Sequence, residues 1–222
     1  MKKLSISILS LALLAGITSC DTTNTNQQNS EKQNTEEQAN ANKDNEKEAV
    51  TYAYHNGETS VNWTAYKFTE KVGVSGVFED VEITGTQEGS TPEEVFTNAE
   101  FTIPVSSINS NNEGRDHKIQ EFFFGKLENS AEMTGKMVSF NDDGSATFTL
   151  SLNGVDQEVT GKYEVSDNVM ALKSDIDVSA WGAESGIASL NKVCDELHKG
   201  EDGKSVLWPD VTISIRATMD KN

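Results

Sequence analysis

Alternation of apolar and polar residues runs through most of the chain after residue 58. The clearest case is residues 211–219, where Val, Ile, Ile, Ala and Met take every second position and polar residues fill the positions between. A period of two places successive side chains on opposite faces of a strand, so each such run predicts a strand with one buried face. About eight runs can be recognised, at residues 61–66, 74–83, 101–105, 133–140, 148–152, 159–165, 170–178 and 211–219.

Turn residues between these runs indicate that neighbouring strands are antiparallel. Asn153-Gly154 is a strong hairpin signal. Asn-Asp-Asp-Gly at 141–144 and Ser-Asp-Asn at 166–168 predict two more turns. Pro104 cannot donate to a sheet ladder, so it predicts an edge or an irregularity in its strand.

Helical segments are few. Thr91-Pro92-Glu93-Glu94 has the spacing of a capping box with Pro at the first helical position, which predicts a short helix to about Thr97. Residues 115–125 and 186–198 are the other candidates. The last candidate carries one apolar stripe and is followed by Gly200. The stripe consists of Ile187, Leu190, Cys194 and Leu197.

Eight antiparallel strands with one apolar face each can form a sandwich or a closed barrel. A barrel of that size is either filled by its own side chains or holds one small ligand. Ala65, Gly76, Gly161 and Ala217 stand at apolar positions of the alternation, where small side chains would leave room inside a barrel. Alternation alone does not decide between these architectures.

Three stretches together resemble the YceI-like polyisoprenoid-binding family. They are VGVSGVFEDVEI at 72–83, FTIPVSSINSNNEGRDHKIQEFFFG at 101–125 and ATFTLSLNGVDQEVTG at 146–161, and their order and spacing extend the resemblance over most of residues 58–219. The resemblance implies an all-β fold, a lipocalin-like closed antiparallel β-barrel of about eight strands with two or three short helices. It also implies a long apolar interior that binds an isoprenoid or a similar lipid, with no established catalysis.

The chain departs from the family pattern in two places. Many members carry a His three places after the Arg of the Arg-Asp pair; here Lys118 stands there and His117 comes one residue early. The role of that His is therefore not carried over to this chain. Residues 180–208 look like an insertion or variant particular to this lineage.

The resemblance makes ten apolar residues candidates for the ligand-binding wall of the interior. In a filled barrel the same residues would be ordinary core. Arg115 and Asp116 are candidates for positioning a ligand headgroup at the mouth; the alternative is a local ion pair that caps the helix and fixes the loop. The ten wall candidates are Trp63, Phe78, Phe101, Ile103, Phe122, Phe123, Phe148, Leu150, Tyr163 and Ile213.

Cys194 and His198 are four residues apart, a spacing that a metal site or a Cys–His nucleophile could use. No third ligand is recognisable nearby apart from Asp195 and Glu196, so a buried thiol beside a helix-terminal His is the expected interpretation. The sequence contains no nucleophile motif or phosphate loop. We expect no enzyme, no metal and no cofactor other than a bound isoprenoid or other lipid.

The N-terminus reads as a lipoprotein signal peptide at residues 1–20. Lys2 and Lys3 precede an apolar run to Ile17, which is too short and wrongly flanked for a membrane span. The ending Ile-Thr-Ser-Cys resembles the lipobox of bacterial lipoproteins, which would make Cys20 the acylated first residue of the mature protein. An ordinary signal with an incidental Cys is the alternative. Acylation would anchor the protein to a membrane of the bacterial cell envelope, expected to be the outer membrane, facing the periplasm or the surface.

Residues 21–49 are polar and contain no aromatic residue, which predicts a disordered tether to one domain at residues 50–222. The whole chain has a formal charge of −18, and residues 1–49 contribute five basic and seven acidic residues, so the domain is near −16. Such a surface repels DNA, RNA and anionic headgroups. We therefore expect an apolar lipid ligand and a membrane anchor on Cys20 as partners, and no nucleic acid.

The composite prediction is a lipid-anchored envelope protein that sequesters or transports an apolar, isoprenoid-class ligand in its barrel. Two other classes stay open. One is a structural or interaction lipoprotein with a filled barrel and an unknown protein partner, and the other is an enzyme or metal protein using Cys194 and His198.

Overall fold

The computed structural model describes residues 49–222. The predicted signal peptide, the lipidated Cys20 and the tether lie outside the described residues, apart from position 49. The α-helices are α1 (Pro92–Phe96), α2 (Glu113–Lys118) and α3 (Glu184–Val193). The strands are β1 (Tyr52–Ala53), β2 (Thr59–Lys67), β3 (Val72–Phe78), β4 (Glu82–Thr84), β5 (Glu100–Pro104), β6 (Ile108–Asn109), β7 (Glu132–Phe140), β8 (Ser145–Leu152), β9 (Val155–Ser166), β10 (Val169–Asp177), β11 (Leu207–Thr218) and β12 (Asp220–Lys221).

Ten strands form one curled antiparallel sheet in the order β4-β5-β7-β8-β9-β10-β11-β2-β3-β6, and β1 pairs separately with β12. The prediction of an all-β antiparallel fold is confirmed, but the count of about eight strands is too low. The predicted run 74–83 is divided into β3 and β4, since residues 79–81 leave the ladder. Pro104 ends β5, and a 3-10 turn at Val105–Ser107 separates it from β6.

The two end strands of the sheet, β4 and β6, come from neighbouring parts of the chain. β4 follows β3 but pairs with β5, whereas β6 follows β5 but pairs with β3. Just past the end of β3, the Glu79 N–H donates to the Ser107 carbonyl oxygen at 2.9 Å. This single bond stands where a regular ladder would continue the sheet. The sheet is thus curled, and a continuously paired closed barrel of eight strands is not confirmed.

The predicted Asn153-Gly154 hairpin joins β8 to β9. Both turn residues have positive φ angles, 55° and 69°, as the type I′ turn requires. The Asn153 side chain also accepts from the Glu128 N–H at 2.7 Å and donates to the Trp181 carbonyl oxygen at 2.8 Å. One residue therefore closes the hairpin and ties it to two other segments.

Side-chain caps begin two of the three helices, α1 and α2. Thr91 caps α1 by accepting from the Glu94 N–H at 3.3 Å, and Asn112 caps α2 by accepting from the Arg115 N–H at 2.9 Å. After α2 the chain continues as a π-helical turn at Ile119–Phe123 and a 3-10 turn at Phe124–Lys126. This continuation packs on α3, where the aromatic ring of Phe123 lies against Gly186.

The interior contains two hydrophobic clusters. The larger lies between the sheet and the segments 119–126 and 178–194, and the smaller lies under α1 beside β11. Leu197, predicted in the buried stripe, is 57% exposed, because α3 ends at Val193 and a 3-10 turn at Asp195–Leu197 rotates it outward. None of the helices within residues 49–222 is long and apolar enough to span a bilayer.

A candidate ligand cavity and its mouth

A cavity of about 150 Å³ lies in the centre of the curled sheet, and its wall is almost wholly apolar. Apolar empty space of this kind stays dry and accepts apolar guests. We call it the central cavity. Eight of the ten predicted wall residues line it: Trp63, Phe78, Phe101, Ile103, Phe123, Phe148, Leu150 and Ile213.

Phe122 and Tyr163 do not line the central cavity. Successive helical residues point about 100° apart, so Phe123 and Phe124 face inward while Phe122 packs half-buried against the core cluster from one side. The Tyr163 ring stacks edge-on against Phe140, with 5.1 Å between centroids. Burial, then the nearby Glu93 carboxylate, raises the pKa of Tyr163.

The wall also contains residues that were not predicted as ligand contacts. Ile187 and Leu190 come from α3, and Leu207 and Trp208 from the start of β11. The apolar stripe of α3 was a usable signal for the first two. Leu207 and Trp208 precede the regular alternation of the last strand, so the pattern gave no signal for them.

A second, smaller cavity lies at the α1 end of the sheet, and we call it the deep cavity. It has a volume of about 70 Å³ and is lined by Phe96, Met137 and Met170 among others. It shares wall residues with the central cavity, including the rings of Phe101 and Phe148, whose centroids are 6.1 Å apart. A layer of side chains therefore separates the two.

The opposite end of the central cavity leads to a wider and more polar space, the mouth cavity, of about 410 Å³. Between the two is a set of shared wall residues that we call the neck: Trp63, Ala65, Ile119, Leu190 and Leu207. The rest of the mouth wall consists of Tyr66, Lys67, Val74, Asn112, Gly114, Arg115, Lys118, Cys194, Leu197 and His198.

The structure separates Arg115 from Asp116. Asp116 is buried and its Oδ1 accepts from the Ser110 N–H at 2.9 Å and from the Ser110 hydroxyl, so it fixes the loop before α2. Arg115 lines the mouth cavity. No ion pair between them is present in the described part of the chain, and the cap of α2 is Asn112. The ion-pair and capping parts of that interpretation are therefore wrong for these two residues, whereas its loop-fixing part is met by Asp116 alone.

Two side-chain nitrogens within residues 49–222 are buried without a hydrogen-bond partner, Nε1 of Trp63 and Nε of Arg115. Trp181 and Trp208, by contrast, donate to the carbonyl oxygens of Leu150 and Phe68 at 2.8 and 2.7 Å. A buried donor left unpaired costs about 1–3 kcal/mol. Both unpaired donors belong to residues of the mouth cavity.

Cys194 and His198 also line the mouth cavity, but their environment does not favour a nucleophile. Burial raises the pKa of the Cys194 thiol, which disfavours the thiolate. Burial, then the Lys67 ammonium, lowers the pKa of His198, and its Nδ1 is 2.8 Å from the Asn191 Oδ1. Within the described residues, no group of three His, Cys, Asp or Glu side chains could hold a metal ion.

Comparison with known proteins agrees with the architecture. The family model described as the YceI-like domain matches residues 52–219. Among solved structures, a polyisoprenoid binding domain from Saccharophagus degradans, implicated in plant cell wall breakdown, is similar with a TM-score of 0.55 and 14% identity; the match covers 78% of this chain and 99% of that one. BcnA of Burkholderia cenocepacia is similar with a TM-score of 0.50 and 14% identity, over 73% of this chain and 97% of that one.

A YceI protein from Campylobacter jejuni is also similar, at 18% identity with a TM-score of 0.48, over 70% of this chain and 89% of that one. No curated protein matches the sequence. At 14% identity, the structures from Saccharophagus degradans and Burkholderia cenocepacia show the fold alone.

Proposed function

We propose that this chain, which belongs to the YceI-like domain family, binds an apolar, isoprenoid-class ligand inside its curled sheet. The observation that carries the proposal is the central cavity, an apolar space inside a sheet that its own side chains do not fill. The solved domain from Saccharophagus degradans is named as polyisoprenoid binding and has the same fold, which supports an isoprenoid for this chain as well.

The size of the cavities indicates how such a ligand would be held. A dry engineered cavity of about 150 Å³ binds benzene, so the central cavity as it stands accepts a guest of about that size. A longer chain would extend through the neck into the mouth cavity, and past Phe101 and Phe148 into the deep cavity. Burial of the tail would provide the affinity, at about 25 cal/mol per Å² of apolar surface removed from water.

The role we propose is non-catalytic. The raised pKa of Cys194 and the contact of His198 with Asn191 favour a structural role for both residues. We further propose that Cys20 is acylated and holds the domain beside a membrane of the bacterial cell envelope, at the outer membrane, where it sequesters or transports its ligand. The sequence Ile-Thr-Ser-Cys supports the anchor.

Native mass spectrometry of the full chain purified from membrane-containing cells tests the proposal. We expect a bound apolar mass that organic solvent releases, and uptake of polyprenols or quinones by the stripped protein. Ala65→Phe should abolish uptake, since Ala65 lies in the neck. Ala171→Phe is the matched control, because Ala171 on β10 lies outside the three cavities and alternates with buried Met170 and Leu172.

A ligand-free wild-type protein that takes up none of these lipids would contradict the proposal. Uptake by the Ala65→Phe variant equal to that of the wild type would show that the ligand binds outside the central cavity.

A further inference from the structure

We propose that the rings of Phe101 and Phe148 determine how long an apolar tail this chain binds, so that it favours short isoprenoid tails. The two residues act as specificity-determining residues, because they divide the apolar interior into two parts. This inference rests on the proposed function and adds the length of the tail.

A layer of five apolar side chains separates the central cavity from the deep cavity. Each member lines both cavities, and the layer consists of Val61, Phe101, Ile103, Phe148 and Ile215. The centroids of the two aromatic rings are 6.1 Å apart and their planes meet at 68°, an edge-to-face arrangement that favours contact between rings. A tail in the central cavity therefore meets two packed rings before it reaches the deep cavity.

The sheet holds both rings in place. Phe148 is 2% exposed and lies in the middle of β8, opposite Met137 on β7 and Val159 on β9. The Phe101 ring lies over Gly135, where a Cβ would come within 2.1 Å of its Cζ atom. Closely packed interiors resist the displacement of a side chain. The passage of a tail between these rings therefore has a cost in free energy that a shorter tail avoids.

The space beyond the rings is small. The deep cavity has a volume of about 70 Å³, against about 150 Å³ for the central cavity, and the smaller hydrophobic cluster packs around it. Phe96 and Ala99 line the deep cavity and are 5% and 2% exposed. The Phe96 ring packs in turn on Tyr54, with 5.3 Å between centroids. A tail that displaces the rings therefore gains contact with little further space.

The distance from the neck to the rings determines the favoured length. Val61 lies at the layer and Ala65 at the neck; four residues separate them on β2, or about 13 Å at about 3.3 Å per residue. A carbon chain advances about 1.25 Å per bond when its bonds are about 1.5 Å long. At most about ten bonds, or between about two and three isoprene units, thus fit between the neck and the rings.

Titration of the full chain with prenols, followed by tryptophan fluorescence, tests the tail length, because Trp63 and Trp208 line the central cavity. Geraniol has two isoprene units and geranylgeraniol has four, so only the second reaches past the rings. We expect the wild type to bind geranylgeraniol less than about tenfold more tightly than geraniol. Burial of about ten further carbons in an undivided interior would raise the affinity by several orders of magnitude.

Phe101→Leu and Phe148→Leu each remove one ring and keep the residue apolar. We expect either variant to raise the affinity for geranylgeraniol, relative to that for geraniol, at least about fivefold over the wild-type ratio. Phe122→Leu is the matched control, because Phe122 lines none of the three cavities, and it should leave the ratio unchanged. Geraniol binding by each variant verifies that the central cavity is intact.

Filling the deep cavity shows where the longer tail goes. Ala217 lines the deep cavity but not the central cavity. Ala217→Leu combined with Phe101→Leu should therefore cancel the gain for geranylgeraniol and restore the wild-type ratio. Ala171→Leu combined with Phe101→Leu is the control that should keep the gain, because Ala171 lies outside the three cavities.

The outcomes separate this inference from the proposed function. A wild type that binds geranylgeraniol more than about tenfold more tightly than geraniol overturns the length preference, while binding of the tail stands. A ratio that neither ring variant changes, or a gain that survives Ala217→Leu, also overturns it. If neither prenol binds the wild type, the proposed function and the inference both fail.

Discussion

Trp63 is the residue at which the apolar and cationic parts of the site meet. Its ring lies over Gly76 on the neighbouring strand, where a Cβ would come within 2.5 Å of the indole and 2.7 Å of the Asn109 carbonyl oxygen. Gly135 is likewise covered by the Phe101 ring. Glycine in these strands therefore makes room for large rings of the chain itself, and both rings line the central cavity.

Residues whose direction the period-two pattern alone determines are the ones that the structure places in the cavity wall. Ile103, Phe148 and Leu150 lie in regular strands, and all three line the central cavity. The direction of Phe122 depended on a π-helical turn, and the effect of Lys67 on His198 depended on which residues meet at the mouth. Neither property is local in sequence.

His198 makes stability depend on pH. Burial, then the ammonium groups, lowers its pKa below the ordinary value of 6.5, although Asp195 opposes this. The unfolded chain therefore gains a proton at a higher pH than the folded one. The free energy of unfolding should fall as pH is lowered through 6.5 towards the folded pKa, with a limiting slope of about 1.36 kcal/mol per pH unit for one proton. Below the folded pKa, the contribution of His198 is fully lost.

Urea unfolding between pH 8 and pH 5 measures this dependence. The difference between wild type and His198→Gln isolates the contribution of His198. His117→Gln, at an exposed position on α2, is the control for the loss of an imidazole. If the free energy of unfolding changed with pH in the same way for the wild type and His198→Gln, the prediction would be contradicted.

At the scale of elements, turn and cap chemistry gave the most reliable predictions. The Asn153-Gly154 turn and the Thr91 cap of α1 are both confirmed. Pro104 predicted an irregularity where β5 ends, but the interruption between β3 and β4 and the short strand β6 were not predicted, because strands of two or three residues carry no readable period. The curled sheet was therefore predictable, and the way its ends meet was not.

Asn153→Asp should destabilise the domain although Asp also tolerates the left-handed conformation. The substitution removes the donor to the Trp181 and Gly182 carbonyl oxygens, at 2.8 and 3.2 Å, and places a carboxylate beside them. We expect a loss of about 1–3 kcal/mol in the free energy of unfolding, measured by denaturant titration. Asn111→Asp makes the same charge change at an exposed residue with φ of 58° and should change stability little.

The whole molecule combines a strongly acidic domain with an N-terminus that reads as a lipid anchor. A formal charge of −18 for the chain repels anionic headgroups. Without an acyl chain, the protein therefore has no electrostatic reason to stay on an anionic membrane. Membrane association should depend on Cys20 alone.

Fractionation of expressing bacteria tests this expectation. Cys20→Ser should move the protein out of the membrane fraction and abolish labelling by a fatty-acid probe. The sequence has two cysteines, so Cys194→Ser is a matched control that should leave both unchanged. Continued membrane association of the Cys20→Ser variant would contradict acylation at this residue.

The neck has a kinetic consequence. Ile119 and Leu190 belong to segments that are packed together where the Phe123 ring rests on Gly186, so a Cβ there would come within 2.7 Å of the ring. A tail that passes between mouth and centre has to move between these packed segments and the β2 and β11 residues of the neck, whatever its equilibrium affinity. Residence time is then governed by how often the neck widens, and a molecule captured during synthesis in the cell would survive purification steps that remove weakly held lipid.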